Sequence, residues 1–155
     1  MVNKSKWHLV TLELNDGPTG EAISKIIFYL KNVIRPNFVI LDYIDGGSKG
    51  NQIAYLKDRE NQILKLEDFL KILNYIQIFD WGDFFLFEEI PARWEGEKDI
   101  LYPPLVARTD TTVRAVDGTY AYVYTPHRGV VDIIKKNYEI ESLTTDFLTN
   151  LPYPC

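Results

Sequence analysis

The chain lacks most of the residues by which small enzymes and secreted domains are recognised. Its 155 residues include one cysteine, one methionine and two histidines. The lone cysteine, Cys155, excludes an intrachain disulfide framework and points to a reducing, cytoplasmic setting. His8 and His127 lie far apart in sequence and have no cysteine pair beside them. They therefore form no zinc motif. A nucleophilic site needs a base next to its nucleophile, but no Gly-x-Ser-x-Gly occurs. His8 falls on a predicted strand, and His127 follows Pro126 at a predicted helix start. The run Asp45-Gly46-Gly47-Ser48-Lys49-Gly50 has its lysine before the glycine and leads into a predicted strand, so it reads as a flexible connector and not as a phosphate loop. No stretch approaches the roughly 18 apolar residues of a membrane span. Residues 7–14 alternate polar and apolar positions, unlike the apolar core of a secretory signal. No metal, cofactor or membrane contact is expected.

What is present describes one folded unit. Apolar residues make up 46% and charged residues 25% of the chain, proportions that suit a packed globular core. A chain of this length buries about 70% of its unfolded surface without a metal or a disulfide, and residues 1–155 are read as a single domain.

The order of patterns predicts an α+β fold. Residues 7–14 alternate as a strand, and Asn15-Asp16-Gly17-Pro18 is a turn. Thr19 caps a helix whose stripe is Ala22, Ile23, Ile26, Ile27, Leu30, Val33 and Ile34, stopped by Arg35-Pro36-Asn37. Residues 38–44 are a continuous apolar run, expected as a central strand. Residues 52–57 and 61–66 read as a hairpin, 67–76 as a second helix and 81–89 as an aromatic strand. Residues 90–104, with three prolines, read as a surface excursion. Asp117-Gly118 between two alternating runs is a hairpin signal, and its second arm sets Tyr120, Tyr122 and Tyr124 in a row. A third helix is predicted over 127–138, with Lys135-Lys136 at its C-terminus, and a short docked helix in the tail. The expected architecture is a single mixed, mainly antiparallel sheet of about six to seven strands with three helices packed on it. The opening strand–helix–strand is read as a candidate parallel crossover.

Charge is the least uniform feature. Of 22 acids and 17 bases, seven acids and two bases fall between residues 78 and 99, leaving 15 of each elsewhere. The whole net charge of −5 thus sits in that segment. It argues against phosphate-backbone binding, which wants a basic footprint, so no nucleic-acid partner is expected. Inside the segment, Phe84 to Phe87 are apolar on both strand faces. Such a strand is either covered on both sides or exposes an aromatic row. Trp81 and Trp94 lie near its ends among acids. Tryptophan is enriched at interface hot spots, and acids complement basic partners. The candidate partner-binding residues are therefore Asp80, Trp81, Asp83, Glu88, Glu89 and Trp94.

In general character, a small, acidic, cysteine-poor α+β chain with an aromatic acidic segment resembles bacterial immunity proteins, which neutralise toxic nucleases; no motif is matched residue by residue. The resemblance implies an inhibitor that binds a basic protein. Two other readings stand beside it. One is a small-molecule enzyme using carboxylates near Asp80 and Asp83, with Arg114 or His127. The other is a self-associating assembly protein, a possible homodimer, pairing through the tyrosine row.

Overall fold

The computed structural model describes residues 5–94 and 102–155. The chain runs through β1 (Lys6–Glu13), α1 (Gly20–Leu30), β2 (Phe38–Ser48), α2 (Gln52–Lys57), β3 (Ile63–Lys65), α3 (Leu66–Leu73), β4 (Ile76–Phe87), α4 (Tyr102–Val106), β5 (Thr111–Val116), β6 (Tyr120–Thr125), α5 (Arg128–Asn137) and β7 (Ser142–Phe147), then a 3-10 turn at Leu148–Asn150. Seven strands form one sheet in the order β3-β2-β4-β5-β6-β1-β7. Every pairing is antiparallel. The fold is α+β, as the element order predicts. β1 and β2 do run in the same direction, but β4, β5 and β6 lie between them, so the opening unit is not a paired parallel crossover.

The helix stripes read from the sequence are the ones that are buried. The Thr19 hydroxyl accepts from the Ala22 N–H at 3.0 Å, satisfying one orphan donor of α1. Ile23, Ile26, Ile27 and Leu30 then face the sheet, with Leu66, Phe69 and Leu73 of α3 and Val130, Val131 and Ile134 of α5 beside them. Val33 lies past the end of α1 and is exposed. The Asp117-Gly118 turn has φ of 54° and 62°, the left-handed pair that a two-residue hairpin needs.

Three local readings are corrected. Residues 52–57 form a helix, not a strand. Ile53 and Leu56 are spaced three apart, so one helical face turns both to the core, Leu56 fully buried and Ile53 partly, and the Ser48 hydroxyl accepts from the Ile53 N–H at 3.2 Å. The supposed connector at 45–48 is the continuation of β2, paired with β4. Gly46 permits this because a Cβ there would meet the Ile78 carbonyl oxygen at 2.1 Å. In the tail, the short docked helix expected before Pro152 is the 3-10 turn at Leu148–Asn150, and the residues ahead of it form an edge strand, β7, because β1 offers an unpaired edge.

Two apolar clusters sandwich the sheet. The larger lies under the helices and includes Phe79, Phe84, Leu86, Val113 and Val123. The second, on the opposite face, is built from Trp7, Leu9, Ile40, Phe85, Phe87 and Tyr124 and is covered by Leu105, Val106, Leu148 and Leu151. The strand with two apolar faces is therefore covered on both over residues 84–87. Each fully buried phenylalanine there contributes about 1.5–3 kcal/mol.

Candidate functional site

The second face of the sheet carries an unusual polar row. Strand register aligns Asp42 with Asp83, Asp83 with Arg114, and Arg114 with Tyr122. Directly opposed residues share a sheet face. Asp83 and Arg114 are each only 1% exposed. The Arg114 Nε donates to Asp83 Oδ1 at 2.7 Å. Its Nη2 donates to the Pro154 carbonyl at 2.6 Å and to the Tyr102 hydroxyl at 3.1 Å, and that hydroxyl donates to Asp83 Oδ2 at 2.8 Å. Arg114 Nη1 has no partner among the described residues. A buried donor left unsatisfied costs about 1–3 kcal/mol.

Electrostatics follow from this burial. Desolvation pushes the Asp83 carboxyl up, while the Arg114 charge and the two hydrogen bonds pull it down. Burial lowers Arg114, but Asp83 outweighs that and its value rises, so the guanidinium stays charged. Asp42 is pushed up to about 6, first by desolvation and further by the charges of Asp83 and Glu60, against hydrogen bonds from the Tyr43 N–H and Asn61.

The tail is fixed over this row. The Tyr153 ring lies parallel to Tyr102 at 5.5 Å and to Tyr124 at 5.0 Å. The Tyr124 hydroxyl donates to the Pro152 carbonyl at 2.6 Å. Tyr102, Arg114 and Tyr124 thus hold an extended Pro-Tyr-Pro segment by ring stacking and carbonyl capture.

Beside the tail lies a hollow of about 430 Å³ lined by Tyr43, Ile44, Lys57, Glu60, Trp81, Tyr102, Arg114 and Cys155. Its size and mainly apolar wall are those of a ligand pocket. A larger hollow of about 790 Å³, between α1 and the end of α3, has only exposed charged side chains in its wall. Two backbone irregularities shape the smaller one. Tyr43 has φ 50°, which costs a non-glycine residue about 1–2 kcal/mol, and its ring is 55% exposed. On β4, Phe79 belongs to the helix-side cluster, and a Cβ at Gly82 would meet Phe84 and Ile44 of the same cluster. Strict alternation cannot put residues three apart on one face, and the register shifts between Asp42/Asp45 and Asp45/Gly46 mark the bulge responsible. Asp80 and Trp81 are the two residues it turns away from the helices.

The acidic segment is not one patch. Asp80 is exposed and Trp81 half-buried near the middle of β4, where its pairing with β5 stops. Glu88 and Glu89 are exposed past its C-terminal end, roughly 25 Å away at about 3.3 Å per residue. Asp83 lies inside the ion pair. Trp94 is half-buried against Phe85 and Phe87, with ring centroids at 4.8 and 5.6 Å, and its Nε1 donates to Asn61 Oδ1 at 3.1 Å. Glu95, Glu97, Lys98 and Asp99 lie outside the described residues. Of the six sequence candidates, only Trp81 lines the hollow, with Asp80 next to it in the bulge.

Tyr43, Asp42, Glu60 and Tyr102 carried no sequence signal, because strand pairing and α4 bring them together. His8 bonds Thr145 Oγ1 through Nδ1 at 2.8 Å, and His127 precedes α5; neither lines the hollow. In the tyrosine row, Tyr124 is buried and Tyr120 and Tyr122 are half-exposed. Among the described residues, no three His, Cys, Asp or Glu side chains group to hold a metal ion, and no helix is long and apolar enough to cross a membrane. No protein-family model, curated protein or solved structure matches the chain, so every functional argument rests on this geometry.

Proposed function

We propose that the chain is a protein-binding module, an immunity-type inhibitor that occupies the basic surface of a nuclease-like toxin in the cytoplasm. The observation that carries this reading is the β4 bulge, which turns Asp80 and Trp81 off the helix face beside the exposed ring of Tyr43. Near them stand Asp42, Asp45 and Glu60, against Lys57. An aromatic anchor ringed by acids supplies contact area and steers a basic partner. The acids at Glu88 and Glu89 belong to the far end of β4 and serve only the long-range field.

The test is the affinity of the partner recovered from the source cells. Trp81→Ala should weaken it by about 2 kcal/mol or more. Asp80→Lys should slow association and reduce its salt dependence. Unchanged affinity in both variants overturns the reading. The alternative of an enzyme using Asp83 is less well supported, because the Arg114 guanidinium and the Tyr102 hydroxyl occupy both of its oxygens.

A further inference from the structure

We infer that Tyr102, Arg114 and Tyr124 form a recognition groove for an extended proline–aromatic–proline segment of a partner protein, and that the chain's own Pro152-Tyr153-Pro154 occupies it as an internal competitor. The inference does not rest on the acidic-surface reading, because none of these three groove residues is among the anchors of that surface.

The chemistry of the ligand is read from the segment already seated. Its two prolines hold φ at about −65° and drive the residues before them, Leu151 and Tyr153, into extended backbone. Leu151 has φ −81° and ψ 149°, the values of a polyproline II helix. Such a segment is ordered before it docks, so docking costs it little conformational entropy. Pro152 and Pro154 have no N–H, so neither brings an orphan donor to the groove.

The groove reads two features of this segment. The first is a single ring. Tyr153 lies within 1° of the plane of Tyr102 and within 5° of that of Tyr124, so the two flanking tyrosines make a slot one aromatic ring thick. The Tyr153 hydroxyl donates to the Leu148 carbonyl at 2.6 Å, which favours tyrosine over phenylalanine at the centre. The second feature is the pair of carbonyls on either side of that ring. The Tyr124 hydroxyl takes the Pro152 carbonyl and Arg114 Nη2 takes the Pro154 carbonyl, both at 2.6 Å. Asp83 holds the guanidinium through Nε and Tyr124 is fully buried in β6, so the sheet fixes both donors. All of these contacts are to a tyrosine side chain or to backbone carbonyls. A free segment of the same sequence pattern offers the same groups without being joined to the chain.

The resident segment is also loosely attached. Residues 151–155 belong to no strand or helix. Pro152 and Cys155 are exposed, and Tyr153 and Pro154 are half-buried. Segments of this kind open locally at low cost. A tethered occupant competes at a high effective concentration, so a free segment binds with an affinity lowered by the fraction of groove already filled.

Tyr153→Ala in the full chain empties the slot and leaves the groove residues in place. The probe is the acetylated, amidated tetrapeptide Leu-Pro-Tyr-Pro, titrated into ¹⁵N-labelled protein while the amides of β6 are followed, with those of α1 as controls. The variant should show saturable shifts with Kd on the order of millimolar, and the wild type should bind about tenfold more weakly. Leu-Pro-Ala-Pro, which lacks the ring, should not bind. Leu-Ala-Tyr-Ala, which lacks the fixed backbone, should bind about fivefold more weakly than Leu-Pro-Tyr-Pro. Adding Tyr124→Phe to Tyr153→Ala removes one carbonyl donor and should weaken the peptide about fivefold. Pro152→Gly keeps the ring and the captured carbonyl but loosens the resident segment. It should bind the peptide about threefold more tightly than the wild type, which tests the competition even if Tyr153→Ala fails to fold. No saturable shift in Tyr153→Ala, equal affinity in the wild type and both tail variants, or equal binding of Leu-Pro-Ala-Pro each overturns the inference. A concentration-dependent wild-type dimer that Tyr153→Ala abolishes would seat the segment of a second copy in the groove, and would overturn the assignment to a partner protein.

Discussion

Removing Arg114 should destabilise the protein far more than removing Arg114 and Asp83 together. At 2.7 Å and an effective dielectric near 20, the gross attraction is about 6 kcal/mol, and desolvation of two buried ions offsets most of it. The net value of the pair is therefore small. Breaking it is different. Arg114→Met leaves Asp83 buried with only the Tyr102 hydroxyl as donor, and takes the donor from the Pro154 carbonyl. Such a loss costs about 3–5 kcal/mol, a large share of a total near 5–15 kcal/mol, and lowers Tm by roughly 10 °C. Asp83→Leu strands the guanidinium and should cost about as much. The double variant should recover most of the loss, leaving a deficit of about 1–2 kcal/mol from the freed tail carbonyl and the Tyr102 hydroxyl. Urea denaturation of all four proteins closes the cycle. Single-variant costs below about 1 kcal/mol, or a double variant as unstable as the sum of the singles, would refute the reasoning.

Three further outcomes follow from the same face. Asp42 has its folded value raised to about 6 from the ordinary 3.8, so ionising it opposes folding. The wild type should lose stability as pH rises from about 4 to 6, and Asp42→Asn, which keeps the oxygen that accepts from Tyr43, should lose less, the remainder coming from Asp83, which burial also raises; Tm against pH for both proteins checks this. Tyr43→Gly relieves the backbone at φ 50° and should gain up to about 1 kcal/mol while weakening partner binding, a stability–function trade-off readable from urea midpoints and affinity on one sample. Tyr153→Ala removes the ring between Tyr102 and Tyr124 and should cost about 2 kcal/mol, with faster amide exchange over the tail than over α1.

The fold was largely legible because its signals are local. Thr19 before Ile23, Ile26 and Ile27 specifies α1 whatever surrounds it, and Asp117-Gly118 specifies its hairpin. What misled was equally local. Gly46-Gly47 looks like a linker until the Ile78 backbone is placed against it, and Gln52–Lys57 is too short to declare a period. The site was legible only in part. Trp81 stood out by composition, but the bulge that exposes it needs the β2–β4 register. The pairing of Asp83 with Arg114 joins residues 31 apart in sequence, and nothing in either neighbourhood announces it. Net charge misplaced the emphasis in one respect. It counted Asp83 and Glu88 as one patch, whereas the pleat buries the first and the strand length carries the second to the other end.

The most direct measurement of partner binding at the β4 bulge is crosslinking in the source cells from a photoreactive side chain at position 81, with matched probes at position 89 and at Phe28, which is 65% exposed on α1. The account predicts a strong adduct with one basic protein from position 81, at most a weak one from 89, and none from 28. Adducts to that protein from 28 or 89, with none from 81, would contradict it.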